Sequence, residues 1–351
     1  MTFSKILSED LECIVSDRSI PWARFRDKTI LVTGSTGLIG LALVRALYAA
    51  NQKRNLRLHI LAHGRDAIKM QKYLSSCGAV LVEQDIRLPF AIPEPVHYVF
   101  HCAGITESAE MVANPISVIE TSVLGTMRVL ELAKVKRVEA LVFLSSMEVY
   151  GLITPPLPSI TERDLGSLDL SSVRSCYPES KRLCENLCNC YYFQYGVPTR
   201  SARLAQTFGA GTPKDDPRVF AQFARHAMNG TDIVLHTDGK SRGNYCYLSD
   251  AIRALLLLAH KGENGEAYNV SNPAASMTIR EMADLVATDL CGSNIKVVVV
   301  KSADFEKFGY APDTDNRLNT DKLNRLGWSP TYGLKEMYER LLDYWSECED
   351  A

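Results

Sequence analysis

The sequence predicts an α/β fold, a doubly wound parallel sheet carrying a smaller C-terminal α/β lobe. Residues 28–33 form a short apolar run, as a strand buried on both faces of a parallel sheet requires. That run enters the turn Gly34-Ser35-Thr36-Gly37-Leu38-Ile39-Gly40 and then a helical pattern. From there strand and helix patterns alternate, which implies right-handed βαβ units. At 351 residues the chain is long for one core, so a second lobe is expected.

Residues 1–26 precede the first strand; Ile6, Leu11, Ile14 and Val15 suggest a short amphipathic helix that Pro21-Trp22 ends. Its expected role is packing, not chemistry. In the glycine turn, Gly34 permits the sharp bend, Gly37 lets backbone approach a pyrophosphate, and Gly40 lets the helix pack on the strand. The amides of Thr36, Leu38 and Ile39 belong to the same phosphate-facing turn, with the positive end of the helix behind them. The spacing is one residue longer than the usual dinucleotide fingerprint, and a turn like this alone serves structure as readily as a nucleotide. Further strands are expected at 56–62, 80–82, 97–101, 141–145 and 199–204, with helices at 41–50, 65–77 and 112–133. The stretch 151–175, rich in Pro, Ser and Leu, is long enough for a functional lid. Ligands then bind beyond the C-terminal strand ends, where Gly34, Gly104 and Ser146 fall. The expected division is an extension at 1–26, a nucleotide-binding domain at 27–207 plus about 243–272, and a second lobe at about 208–242 plus 273–351.

Composition narrows the class. Apolar residues make up 46% and charged residues 23%, ordinary for a globular enzyme. A net charge of -2 points to neither a nucleic-acid nor a membrane partner. No apolar run approaches a membrane span, and the first ten residues are too polar and acidic for a signal peptide. Ten cysteines without framework spacing suit a reducing cytoplasm. Cys184, Cys188 and Cys190 suggest a metal cluster at first sight, but on a helix 190 turns away from the other two and no His is near. They read as helix-core cysteines, and no metal is expected.

Two further signals carry chemistry. Tyr177 and Lys181 in Tyr177-Pro178-Glu179-Ser180-Lys181 share a helical face, and Pro178 suits a first turn. A neighbouring ammonium lowers a phenol pKa and makes Tyr177 a general base, although this spacing is common by chance. Ser145-Ser146-Met147-Glu148-Val149-Tyr150-Gly151 follows a strand, where the Ser146 hydroxyl either bonds a substrate oxygen as it becomes a carbonyl or caps the turn.

Together, in this order, these signals resemble the extended short-chain dehydrogenase/reductase family of the NAD-dependent epimerase/dehydratase type, the nucleotide-sugar epimerases, dehydratases and decarboxylases. The resemblance runs from about Lys28 to the C-terminus. It is carried by residues 33–40, Asp85-Ile86-Arg87, His101-Cys102-Ala103-Gly104, residues 145–151 and 177–181, and by the outlines of 203–209 and 245–250. It implies a Rossmann domain holding NAD or NADP and a lobe holding a nucleoside-diphosphate sugar. Asp85 and Ile86 would lie by the adenine, Ala103 and Gly104 along the cofactor, and Lys181 on the nicotinamide ribose. Tyr177 would remove a sugar hydroxyl proton with Ser146 holding that oxygen, and Thr106 would lie on the substrate side. Cofactor choice stays open: 61–65 lacks an acid before Asp66, and Arg65 either meets a 2′-phosphate or is a solvated helix-start residue.

Glu148 bears on the reaction. In the family's dehydratases the matching motif is Thr-Asp-Glu, and Met147 stands where that Asp would be. Uronic-acid decarboxylases carry Thr or Ser, any residue, then Glu, which Ser146-Met147-Glu148 matches, while simple 4-epimerases generally lack the Glu. The substrate side departs from the family. Gly243 stands where relatives place an arginine, with Arg242 one place earlier. The usual Arg-Pro-Gly segment reads Gly309-Tyr310-Ala311-Pro312-Asp313, with Arg317 the nearest replacement, and Gln206 takes the place of the substrate asparagine. The expected function is modification of a nucleotide sugar or related polyol through a transient keto intermediate, on an unusual substrate. The alternatives are an NADP-dependent carbonyl reductase of a non-nucleotide substrate and a non-catalytic NAD(P)-binding regulator; joint retention of Tyr177, Lys181 and Ser146 argues against the last. A homodimer is expected through the Tyr177 helix and 112–133, using Ile119, Val123, Leu130, Leu183, Leu187 and Tyr191.

Overall fold

Strand β1 (Thr29–Thr33) is buried at every position and sits inside a seven-stranded sheet, as its apolar run requires. The computed structural model describes residues 3–300 and 314–348. In chain order it contains α1 (Lys5–Ser16), β1, α2 (Leu38–Arg54), β2 (His59–Gly64), α3 (Ala67–Leu74), β3 (Val80–Glu83), β4 (Tyr98–His101), α4 (Ser108–Ala113) and α5 (Pro115–Lys136). Then come β5 (Ala140–Ser146), α6 (Cys176–Tyr195), β6 (Thr199–Leu204), β7 (Gln206–Phe208), α7 (Val219–Asn229), β8 (Ile233–Leu235) and β9 (Arg242–Tyr247). The chain closes with α8 (Leu248–Lys261), β10 (Glu266–Val270), β11 (Asn272–Thr278), α9 (Ile279–Leu285), β12 (Val297–Val299), α10 (Asp321–Asn324) and α11 (Leu334–Glu347).

Several boundaries differ from the sequence reading for local reasons. Helix α2 starts at Leu38, because the glycine turn itself supplies the first turn, with Gly37 as N-cap. Strand β2 starts at His59 because Asn55 (φ 48°) and Arg57 (φ 54°) are left-handed and keep the chain from extending at 56. The pattern at 112–133 splits into α4 and α5 at Asn114, whose non-helical backbone precedes Pro115.

The large sheet has the order β10-β6-β5-β4-β1-β2-β3 and is parallel throughout. The strand order reverses between β1 and β4, the switch point at which doubly wound sheets bind ligands. A second lobe holds the sheet β11-β9-β7 and the pair β12-β8. Strand β9 belongs to that small sheet, and the chain returns to the large one through α8 and β10. The lobe has its own core, in which Phe208 stacks on Phe220 with centroids 4.4 Å apart, alongside Tyr245, Tyr338 and Trp345.

Helix α1 buries Ile6, Leu7, Leu11, Ile14 and Val15 and ties the two parts together. Its buried Asp10 accepts hydrogen bonds from Tyr247 (2.8 Å) and Arg340 (2.7 Å), and Asp17 accepts one from Arg253 of α8 (2.5 Å). Burial pushes the Asp10 carboxyl up to about 6 against the opposing pull of Arg340. The stretch 151–175 is a pinned rim, although its length alone suggests a lid. Arg182 donates to the Gly166 carbonyl (2.7 Å), Arg203 to the Glu162 carbonyl (2.7 Å), and Asn269 N–H to the Glu162 carboxylate (2.8 Å). The segment Gly309-Tyr310-Ala311-Pro312-Asp313 lies outside the described residues.

Candidate active site

The cofactor side is built by β1 and β4 lying next to each other. Their register pairs Thr33 with His101, so the turns beyond both strands touch. Gly34 has φ 64°, and a Cβ there would meet the Ala103 backbone at 2.7 Å. At Gly40 it would meet the Gly34 carbonyl oxygen at 2.3 Å. Both glycines are therefore steric requirements. Gly37 caps α2 without a side-chain hydrogen bond, so the first-turn amides of Leu38, Ile39 and Gly40 are open to an anion at the positive end of the helix. Ser35 donates through N–H and Oγ to the His63 carbonyl, both at 3.0 Å, and pins the turn to β2; Thr36 is half-buried. This cradle fits the diphosphate of a dinucleotide.

Beyond β4, the Ala103 N–H donates to Thr33 Oγ1 (3.2 Å), and the His101 ring bridges Thr33 (2.8 Å) and Thr126 of α5 (3.1 Å). Burial and the Lys181 charge push His101 down to about 3, so the ring is neutral. Thr33 and His101 lie in stretches that carry the family resemblance, but nothing in the sequence links them to Thr126, because the three meet only when β4 and α5 fold beside β1. At the far end, Asp85 is forked by Arg87, whose Nη2 lies at 2.6 Å, and is held down to about 2 by that guanidinium. Ile86 packs on Gly125 of α5, where a Cβ would lie 3.0 Å from its side chain. Arg65 is exposed, and Asp66 spends its carboxylate capping α3 at the Lys69 N–H (2.9 Å).

The chemical side lies at the C-terminal end of β5. Ser146 accepts the Glu148 N–H (3.2 Å), and its hydroxyl acts to lower the Tyr177 phenol pKa. Tyr177 stands in the first turn of α6, buried against Met111 and Val118. Lys181 is also buried; its Nζ donates to the Leu144 carbonyl (2.6 Å) and lies 5.7 Å from the centroid of the Tyr177 ring. The Tyr177 phenol pKa is not lowered, contrary to what the spacing from Lys181 suggests. Burial, and next the Glu148 charge, push the Tyr177 phenol up in the protein alone; Ser146, Arg174 and Arg218 are what oppose this. The Lys181 ammonium, bound to the Leu144 carbonyl and seated over the Phe143 ring at 4.8 Å, is not among the larger influences on the phenol. Burial also lowers the Lys181 pKa.

Two residues that sequence reasoning missed complete the site. Arg174 forks Glu148, Nη1 to Oε2 at 2.7 Å and Nη2 to Oε1 at 3.1 Å. Its only sequence signal is its place three residues before Tyr177. Arg218 comes from the second lobe, held by Asp216 through Nε (3.0 Å) and Nη2 (2.6 Å). Asp216-Pro217-Arg218 carries no spacing signal of its own.

The expected substrate residues divide. Gln206 is half-buried where β7 begins, and Thr106 is exposed in the loop after Gly104. Arg242 and Arg317 converge on one carboxylate: Arg242 Nε lies 2.6 Å and Arg317 Nε 3.7 Å from Asp315. Arg242 also donates to the Ser276 carbonyl (3.2 Å). A side chain at Gly243 would meet the Tyr245 hydroxyl at 2.3 Å, so Tyr245 occupies the room an arginine there would need. Cys184 and Cys188 are buried in the core under α6 and Cys190 is exposed; among the described residues no His, Cys, Asp and Glu group could hold a metal ion.

The model of the NAD dependent epimerase/dehydratase family matches residues 30–271. UDP-glucuronic acid decarboxylase 6 of Arabidopsis thaliana is 31% identical over 310 residues, 88% of this chain and 85% of that protein. An epimerase of Methanothermobacter thermautotrophicus superposes with a TM-score of 0.77 at 24% identity, covering 94% of this chain and 95% of its own. UDP-glucose 4-epimerase of Thermotoga maritima does so with a TM-score of 0.75 at 21% identity, covering 92% and 99%. At these identities the two structures establish a shared fold.

Proposed function

We propose, from the premise that the chain belongs to the NAD dependent epimerase/dehydratase family, that this nucleotide-sugar-modifying enzyme oxidises a ring hydroxyl of a nucleoside-diphosphate uronic acid and then releases its carboxylate as carbon dioxide. The observation that carries the reading is Glu148 held beside Tyr177 and Ser146, in the pattern Ser146-Met147-Glu148. The relatives named UDP-glucuronic acid decarboxylase support the substrate class.

The residues divide the work. Gly34, Gly37 and Gly40, with the amides of 38–40, hold the dinucleotide, and Lys181 and Ala103-Gly104 line its nicotinamide end. Held in this cradle, NAD or NADP would supply the hydride acceptor for the carbon that carries the hydroxyl, and the means of returning that hydride. Tyr177 takes the hydroxyl proton while Ser146 donates to the oxygen as it becomes a carbonyl. A ketone placed β to the carboxylate lets the carbon–carbon bond electrons pass into an enolate as carbon dioxide leaves. A proton must then be added to that carbon, and this reading gives its delivery to Glu148.

The deciding experiment is mass spectrometry of products from a panel of nucleotide sugars, uronic acids included, with both cofactors. Loss of carbon dioxide from a uronic acid is the expected result. An isobaric product would replace the reading with epimerisation, loss of water with dehydration, and net cofactor consumption with a simple reductase. In the same assay Glu148→Gln should lower product formation roughly a hundredfold or more while cofactor binding stays normal. Unchanged turnover would remove Glu148 from the chemistry.

The same reading includes a homodimer through α5 and α6. Ile116, Ile119, Met127 and Leu183 are exposed along these helices. Leu130, expected at that interface, is instead in the chain's own core, on the α5 face that also buries Thr126, Val129 and Ala133. Light scattering should give about twice the 39.0 kDa chain mass; a monomer would exclude the pairing. All ten cysteines are free, and among the described residues no helix is long and apolar enough to cross a membrane.

A further inference from the structure

We propose that Arg174 is a positioning residue, gripping both oxygens of Glu148 and holding that carboxylate in one orientation beside the Tyr177 hydroxyl. The inference rests on the reading of Tyr177 and Glu148 as the reacting pair and names the part that keeps them apart in role and fixed in place.

Three observations carry it. The grip is a two-point fork, 2.7 and 3.1 Å, so it fixes the plane of the carboxylate as well as its position. Both partners are largely shielded, with side-chain exposures of 15% for Arg174 and 24% for Glu148, which places the pair well away from the fully hydrated regime of surface ion pairs. Finally, the clamp is anchored from both sides of the site. Glu148 follows β5 in the turn whose N–H is tied to Ser146, and Arg174 precedes α6 in the turn that leads into Tyr177. Carboxylate, serine and tyrosine are thereby joined through two short backbone segments and one guanidinium.

The charges around the phenol make the clamp measurable. Tyr177 is faced by Ser146 and Glu148 from the β5 end, by Arg174 from the turn before α6, and by Lys181 from α6 itself. Arg218, paired with Asp216, faces it from the second lobe, and the neighbours Ile105, Met111, Val118 and Cys176 carry no charge at neutral pH. Glu148 raises the phenol pKa and Arg174 lowers it. Removing Arg174 alone leaves Glu148 unbalanced beside the phenol, so Tyr177 ionises at higher pH; removing both charges returns the ionisation towards its starting point.

The test is a spectrophotometric tyrosinate titration of the holoenzyme, taking the difference between proteins with Tyr177 and their Tyr177→Phe counterparts, beside steady-state kinetics. Arg174→Met should move the Tyr177 midpoint to higher pH, and Arg174→Met/Glu148→Gln should move it back. Arg174→Lys keeps the charge without the fork and should leave the midpoint near the parent value while kcat falls roughly a hundredfold at unchanged KM. An unmoved midpoint in Arg174→Met would overturn the proposal, as would full kcat in Arg174→Lys, which decides the matter should Arg174→Met fail to fold. The titration needs no sugar, so it judges the clamp even where failure to turn over any uronic acid has removed the proposed function.

Discussion

Tyr177→Phe should reduce turnover by roughly a thousandfold or more while the protein keeps its cofactor. The Tyr177 phenol, in the first turn of α6, is a titratable group on which the Ser146 hydroxyl acts, and phenylalanine preserves everything else about the position. The ring is buried against Met111 and Val118, so Phe fills the same space without a cavity. The diphosphate cradle lies on the turn after β1, and the Lys181 ammonium is held by the Leu144 carbonyl, so neither depends on the lost hydroxyl. Steady-state assay of the variant, with its cofactor content measured by absorbance after denaturation, separates the two effects. Turnover within tenfold of the parent would dismiss Tyr177 as the base. Loss of cofactor together with turnover would assign it a binding role instead.

The largest stability effect is expected from Glu185→Ala. Glu185, 8% exposed, accepts Arg203 through Nε at 2.9 Å and Nη2 at 2.7 Å, and accepts the Ser145 hydroxyl at 2.5 Å. Arg203 also bonds the Glu162 carbonyl and the Tyr150 hydroxyl, so one buried ion pair joins α6, β6, the end of β5 and the rim at 151–175. Deleting the carboxylate strands a buried guanidinium, which costs about 3–5 kcal/mol. Denaturant unfolding should show the loss as a fall in midpoint with unchanged slope. Glu185→Leu/Arg203→Met should recover most of it, because two apolar groups of similar volume leave no charge uncompensated. A loss of stability below about 1 kcal/mol in Glu185→Ala would mean that Glu162 and Tyr150 satisfy Arg203 on their own. The pair also lies directly behind Ser145-Ser146, so any surviving Glu185→Ala protein should lose activity in proportion to disorder at Ser146.

What could be read from the chain alone were features whose cause lies within a few residues. An apolar five-residue strand, a turn that only glycines can make, a tyrosine and a lysine one helical turn apart, and a serine with a glutamate just past a strand are all local. Each was found where the structure has it. Element ends were less legible, since left-handed residues such as Asn55 and Arg57 or the break at Asn114 depend on how the next element must be aimed.

Other features were decided by tertiary structure alone. Arg174 and Arg218 face Tyr177 only because the turn before α6 and a loop of the second lobe come together over β5. Tyr245 fills the room beside Gly243 because β9 is held between β7 and β11. Helix α1 acts as a tie because Asp10 and Asp17 meet arginines more than two hundred residues away. The physical reason is range. Backbone geometry and side-chain periodicity act between neighbours, so sequence determined the fold class and the glycine turn after β1 and marked Tyr177 as the candidate base. Desolvation and Coulomb interaction sum over every group that folding brings near, so only the tertiary structure decided which charges set the ionisation of Tyr177.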